Sequence, residues 1–357
     1  MNVIRGWFAR IFSDPQAVIL ALLLIVGFLV ILTMGQLLTP VLAALVLAYL
    51  LDGVVLALQQ RGVPRIAAVS TVFLLFIVFL AFALLALLPR LSYQLTQLVN
   101  QLPSIVGKGQ EVIMRLPSRY PDLISQAQVQ DIINAIRVEL AGLGQRVVSM
   151  SVASVVGIIT LLVYLILVPV LVFFFLKDKH RIIEWMSNYL PRERSLSASV
   201  WHEVNGQIAN YVRGKIWEIL IVGTVSYVTF LFMNLQYAVL LATLVGLSVV
   251  IPYIGAAAVT LPIAAIGFFQ WGWSPEFWYI LVAYGVIQAL DGNVLVPLLF
   301  SEVVNLHPVA IIISVLVFGG LWGFWGVFFA IPLATLVKAV LRVWPRSGQA
   351  LPPPAAD

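Results

Sequence analysis

The chain has 357 residues, 62% of them hydrophobic and 10% charged, with a mean hydropathy of +1.06. Soluble domains carry about 45–50% apolar and about 25% charged residues, so a water-soluble core cannot hold this composition and a soluble enzyme is excluded. Cysteine is absent and the net charge is +5; the first removes disulfides, thiol nucleophiles and thiolate metal sites, and the placement of the second bears on topology.

Arg5 and Arg10 precede a stretch with no charged residue between Pro15 and Leu51. That run is too long for the apolar core of a signal peptide. Pro40 divides it into expected spans near 16–37 and 40–58, and a third runs over 66–88 between Pro64 and Pro89. Each reaches the roughly 20 residues that cross a bilayer core. Residues 1–89 are thus read as transmembrane helices 1–3. Over 90–147 the texture becomes amphipathic. Leu91, Leu95, Leu98, Leu102 and Ile105 recur at helical spacing, as do Val129, Ile132, Ile133, Ile136, Leu140, Leu143 and Val147. These are helices of an extramembrane domain, expected to break at Pro103, Pro117 and Pro121.

A fourth span occupies 148–176, and 177–215 is a polar helical segment. A transport core follows over 216–343, then a Pro-rich tail over 344–357 that is read as disordered. Within that core a fifth span ends near Asn234, and Glu276–Phe300 is long enough to cross. Two further apolar stretches are interrupted. Tyr237–Ile251 and Ile254–Gln270 meet at Ile251-Pro252-Tyr253-Ile254-Gly255. Val309–Trp322 and Phe324–Val343 meet in a run containing Gly319, Gly320, Gly323 and Gly326. The first arms have 15 and 14 residues, about 21–23 Å of helix against a hydrocarbon core of roughly 30 Å. Paired interruptions of this kind mark transport sites, since freed backbone at membrane depth must line a cavity or be buried in protein. The competing explanation is ordinary helix kinking.

With the N-terminus inside, fourteen of the 20 basic residues fall on inner segments, as the positive-inside rule requires. The fold class is therefore an all-α polytopic membrane protein. It has about six full transmembrane helices plus two broken or re-entrant hairpins, with both termini inside. The basic balance reports topology, and nucleic acid is not an expected partner, because Lys and Arg alternate with Asp and Glu over 177–215.

Enzyme signatures fail. Gly214-Lys215 lacks the rest of a P-loop, His180, His202 and His307 are isolated, and Gly246-Leu247-Ser248 lacks the second glycine of a nucleophile elbow. No cofactor or metal is implied. One acidic residue stands out. Asp291 lies in the middle third of the Glu276–Phe300 span beside Gly292 and Asn293, and a carboxylate there is functional by default. A cap on backbone distorted by Pro297 is the structural alternative. Asp52 and Glu218 lie nearer span ends and are read as interfacial or solvated. Asn305 and His307 precede a helix start; Trp271, Trp273 and Trp278 suit an interfacial belt. Trp322 and Trp325 are read as packing, with a gate role the alternative. The residues assigned to a substrate or ion pathway are Asp291, Asn293, Pro252, Tyr253, Gly255, Gly319, Gly320, Gly323, Asn305 and His307.

The same segments carry a likeness. Ile251–Gly255, Asp291-Gly292-Asn293-Val294-Leu295-Val296-Pro297, Asn305-Leu306-His307-Pro308 and Gly319–Pro332, with Tyr211-Val212-Arg213-Gly214 leading into them, resemble the PerM-type branch of the autoinducer-2 exporter family of bacterial permeases. Lys215 stands where many members have Gln. The resemblance implies a multi-pass inner-membrane homo-oligomer, with a pentamer the leading expectation. It implies membrane lipid and a small solute or ion as partners, and export of a small signalling molecule or sodium–proton exchange as the activity. A membrane scaffold that docks an envelope partner through 90–147 is the contrasting class.

Overall fold

The computed structural model describes residues 15–114, 130, 131, 134, 154–188, 195–300 and 306–343. Among these all regular structure is helical. The helices are α1 Pro15–Gln60, α2 Arg65–Phe82, α3 Leu88–Met114, α4 Ser154–Lys177, α5 Lys179–Asn188, α6 Ser195–Phe232, α7 Ala238–Ser248, α8 Ile254–Trp271, α9 Pro275–Leu290, α10 Val296–Phe300, α11 Pro308–Phe328 and α12 Ala330–Val343. π-Helical turns at Ala83–Leu87 and Asp291–Leu295 join α2 to α3 and α9 to α10. Six helices are long and apolar enough to cross a membrane, and α4 with α5 forms a further, bent pair. The protein is a multi-pass membrane protein.

Prolines do not interrupt the helices where the sequence suggests. Pro40 lies inside one 46-residue helix rather than between two spans. It deprives the Gln36 carbonyl of a partner, which in water costs about 3 kcal/mol and ends helices. In hydrocarbon the alternatives to helix leave more backbone groups unpaired, so the helix persists. Pro103 is likewise internal to α3, while Pro117 and Pro121 lie outside the described residues. At Pro89 the π turn supplies the room. The Leu88 N–H bonds the Ala83 carbonyl, five residues back, so helicity runs from Arg65 through to Met114. Of the expected stripe at 129–147 only residues 130, 131 and 134 are described.

The chain divides into two compact units. One comprises residues 1–69, 170–216 and 297–357, the other 70–169 and 217–296. In the first, α11 and α12 pack together and α11 touches α1. Phe28 meets Trp322 edge-on at 5.1 Å, and Trp322 stacks on Phe318 at 5.6 Å, so Trp322 is a packing residue. Ala339 of α12 packs with Leu24 and Ile208. Asp52, nearly buried, pairs with Lys179 at 2.8 Å, which keeps a structural role for that carboxylate.

The second unit holds a core of Val222, Phe230, Leu241, Val245, Ile263, Ile280 and Tyr284, with Leu91 and Leu98 of α3 packed against it. Helix α7 starts abruptly because Tyr237 is left-handed at φ 58°. Its orphan Leu240 N–H donates to the Gln94 side chain at 2.9 Å, as unsatisfied helix N-termini require. Gln270 clasps the preceding turn, accepting from the Gln236 N–H at 2.8 Å and donating to the Asn234 carbonyl at 2.7 Å.

Candidate functional site

Asp291 opens the π turn between α9 and α10 and is half-buried. The turn's wide bond runs from the Val296 N–H to the Asp291 carbonyl. π-Helical insertions recur at functional positions because they re-aim one side chain without ending the helix. Tyr284, Gln288 and Asp291 follow at i, i+4 and i+7, on one face of the helix. Tyr284 is 3% exposed, and its hydroxyl donates to the Ala256 carbonyl of α8 at 2.9 Å. The Thr260 hydroxyl donates to that same carbonyl at 2.9 Å. Thr260 and Gln288 flank the Tyr284 hydroxyl, and the Asp291 charge acts on it. A polar file therefore runs through an apolar helix pair, from Asp291 to the start of α8.

The start of α8 is the first glycine–proline interruption. After α7 the backbone turns through Val249–Tyr253, with the Ile251 N–H donating to the Ser248 carbonyl at 3.0 Å and the Gly255 N–H to the Ile251 carbonyl at 2.9 Å. Tyr253 has φ 63° and is exposed; Pro252 is half-buried and Gly255 buried. The Gly255 Cα lies so close to the Ser248 carbonyl that any Cβ would overlap it. Glycine is what permits this hairpin. Asn293 is exposed, and its amide donates back to the Ala289 carbonyl at 2.8 Å.

Gly319, Gly320 and Gly323 belong to the other unit. Gly323, at φ 59° and ψ −133°, breaks α11, and the chain folds back on itself. A Cβ on Gly326 would overlap the Phe318 carbonyl, and one on Gly319 would come within 2.8 Å of Val327. Both interruptions are thus hairpins closed by a glycine against a carbonyl of the opposite arm. His307 caps α11, its Nδ1 accepting from the Val309 N–H at 3.3 Å, which accounts for it as a helix start. Asn305 lies outside the described residues.

Two ionisable residues of α6 escaped sequence reasoning. Glu218, read above as solvated, is 2% exposed, and Lys215 is 3% exposed. The Lys215 ammonium sits 5.1 Å from the Phe300 ring centre and 6.0 Å from that of Tyr211, within cation–π range. The Phe300 ring lies so close to Gly214 that a Cβ there would approach it to 2.7 Å. The signal was available. Lys215 and Glu218 are one helical turn apart and flanked by apolar residues, a spacing that puts both on one face.

A family model described as AI-2E family transporter matches residues 18–346. PerM of Escherichia coli (strain K12), named as a permease, is 47% identical over 345 residues, covering 97% of this chain and 98% of that protein. YueF of Bacillus subtilis (strain 168), named as a transport protein, is 29% identical over 309 residues, covering 84% and 82%. YrrI of the same organism, also named as a transport protein, is 23% identical over 318 residues, 85% of each chain.

Proposed function

The chain belongs to the AI-2E transporter family, and from that premise we propose that it is a secondary permease for a small polar solute or signalling molecule of the autoinducer-2 kind. It sits in the bacterial inner membrane with both termini inside, works as a homo-oligomer, and is driven by a proton or cation gradient. The observation that carries the reading is Asp291, half-buried on a π turn within a span and in electrostatic reach of Tyr284, beside Thr260 and Gln288. A carboxylate at membrane depth is costly to keep without a use. It can exchange a proton or cation as its surroundings change, and the polar file leads from it to the Pro252–Gly255 hairpin. The same carboxylate also favours a second reading, sodium–proton exchange without a solute.

The test is flux into liposomes containing purified protein, with solutes and ion gradients varied. Asp291→Asn keeps the shape and loses the charge. It is expected to express and assemble normally while losing gradient-driven transport, and Asp291→Glu is expected to keep part of it. Wild-type transport by the Asn variant refutes Asp291 as the coupling site. Loss of the assembled protein in that variant favours a structural carboxylate, and with it the scaffold class.

A further inference from the structure

Helix α4 ends at Lys177, and α5 leaves it at an angle of 79°. The bend is built on both sides. The Asp178 N–H donates to the Phe174 carbonyl at 2.8 Å and the Ile182 N–H to the Asp178 carbonyl at 2.9 Å. Lys179 pairs with Asp52 of α1 at 2.8 Å. Arg65 of α2 donates to the Leu176 carbonyl at 2.9 Å and lies 3.2 Å from His180 Nε2. Thus α5 is held at a fixed angle to a 24-residue apolar helix, itself long enough to cross a membrane. Spans tilt on average by about 20° from the bilayer normal, so a helix at 79° to one runs close to the membrane plane.

The sequence of α5 suits that position. At about 100° per residue, Ile182, Ile183, Trp185 and Met186 share one arc with Lys179, whose ammonium is taken up by Asp52, while Arg181, Glu184 and Asn188 fall on the other. Ile183, Trp185 and Met186 are 46%, 61% and 58% exposed, an apolar face open on a short charged helix. With Arg65 of α2 beside it, the junction carries a small excess of positive charge. Lys177 lies 5.9 Å from the Phe174 ring centre, and Lys179, His180 and Arg181 follow, against Asp178 and Glu184 and the Asp52 already paired with Lys179.

We propose that α5 is an interfacial helix that binds the anionic phospholipid surface. Its Ile183–Met186 face enters the bilayer beneath the headgroups, and Arg181 and Lys177 meet the phosphates. The inference is independent of what the protein transports. Because the chain has no cysteine, Met186→Cys and Asn188→Cys in the full-length protein can each carry a single environment-sensitive fluorophore. The variants are reconstituted into phosphatidylcholine vesicles with and without phosphatidylglycerol. The probe at 186 is expected to lose emission to lipids bearing nitroxides about 5–10 Å below the headgroups and to be spared by aqueous iodide. The probe at 188 is expected to show the reverse. Phosphatidylglycerol should deepen the probe at 186, and adding Arg181→Gln should diminish that gain. Iodide quenching at 186 as strong as at 188 overturns the proposal. So does protection of 186 from both quenchers, which would place protein, such as a second copy, over this face. A probe at 186 indifferent to phosphatidylglycerol overturns the anionic specificity.

Discussion

Replacing Gly255 with alanine tests whether the α7–α8 hairpin depends on its close backbone approach. An added Cβ would stand 2.6 Å from the Ser248 carbonyl carbon and 3.2 Å from its Cα. Restoring ordinary contact at 3.4 Å or more demands a shift of roughly 0.8 Å from that carbon, and clearing the carbonyl oxygen, which the Cβ would overlap outright, demands more again, in an interior packed as tightly as an organic crystal. Overpacking costs about 1–3 kcal/mol, and the upper end applies because main chain meets main chain and no rotamer can yield. Alanine returns about 0.5–1 kcal/mol through its helix propensity, leaving a net loss of about 2 kcal/mol. For a protein of this size that lowers Tm by about 3 °C, measured on the detergent-solubilised protein. Gly285→Ala, whose Cβ meets nothing within 4 Å, is the control and should melt at or above the wild-type temperature. Gly326→Ala, against the Phe318 carbonyl, should behave like Gly255→Ala. Equal melting of Gly255→Ala and Gly285→Ala would refute the close-approach argument.

Two further outcomes are expected. Lys179→Ala strands the nearly buried Asp52 carboxylate and should cost about 1–2 kcal/mol of stability, less than a fully buried pair because the lysine is part-exposed; Lys179→Ala with Asp52→Asn should recover most of it, and an unchanged Tm in the single variant would refute the pair's role. The charge distribution predicts that an impermeant thiol reagent labels Gln126→Cys in intact cells but reaches Ser197→Cys only after permeabilisation, and the opposite pattern would invert the topology.

What the sequence made legible follows from the solvent. In hydrocarbon every backbone group must be satisfied within its segment, so long apolar runs declare spans. Glycines beside short arms declare hairpins, and both hairpins are present as expected. The prolines misled for the same reason. Their use as helix breakers reflects segments that water can hydrate, whereas at Pro40 no such relief exists and the helix continues; Pro103, beyond the apolar stretch, is nonetheless carried inside α3. Asp291 was legible as a lone charge in an apolar span. Glu218 was missed because nearness to a span end was equated with solvation, and Lys215 because it was counted with the polar segment that ends there. Their burial depends on packing from distant parts of the chain, such as Phe300 over Lys215, which local composition does not report.

The two π turns separate backbone mechanics from chemistry. Each ends two residues before a proline, Ala83–Leu87 before Pro89 and Asp291–Leu295 before Pro297. In each, the carbonyl that the proline cannot pair with, four residues back, falls inside the turn: Leu85 in the first and Asn293 in the second. Widening the helix there relieves the clash between the proline ring and that carbonyl, so the device needs no polar side chain. The first turn proves the point, being Ala-Leu-Leu-Ala-Leu throughout. The second is Asp-Gly-Asn-Val-Leu. Backbone relief therefore cannot be why a carboxylate and an amide stand in the second turn, since the first achieves it without them. What remains distinctive of the second turn is the file of Asp291, Gln288 and Tyr284 facing Thr260 and Ala256 of α8, and on that difference the assignment of Asp291 to transport rests.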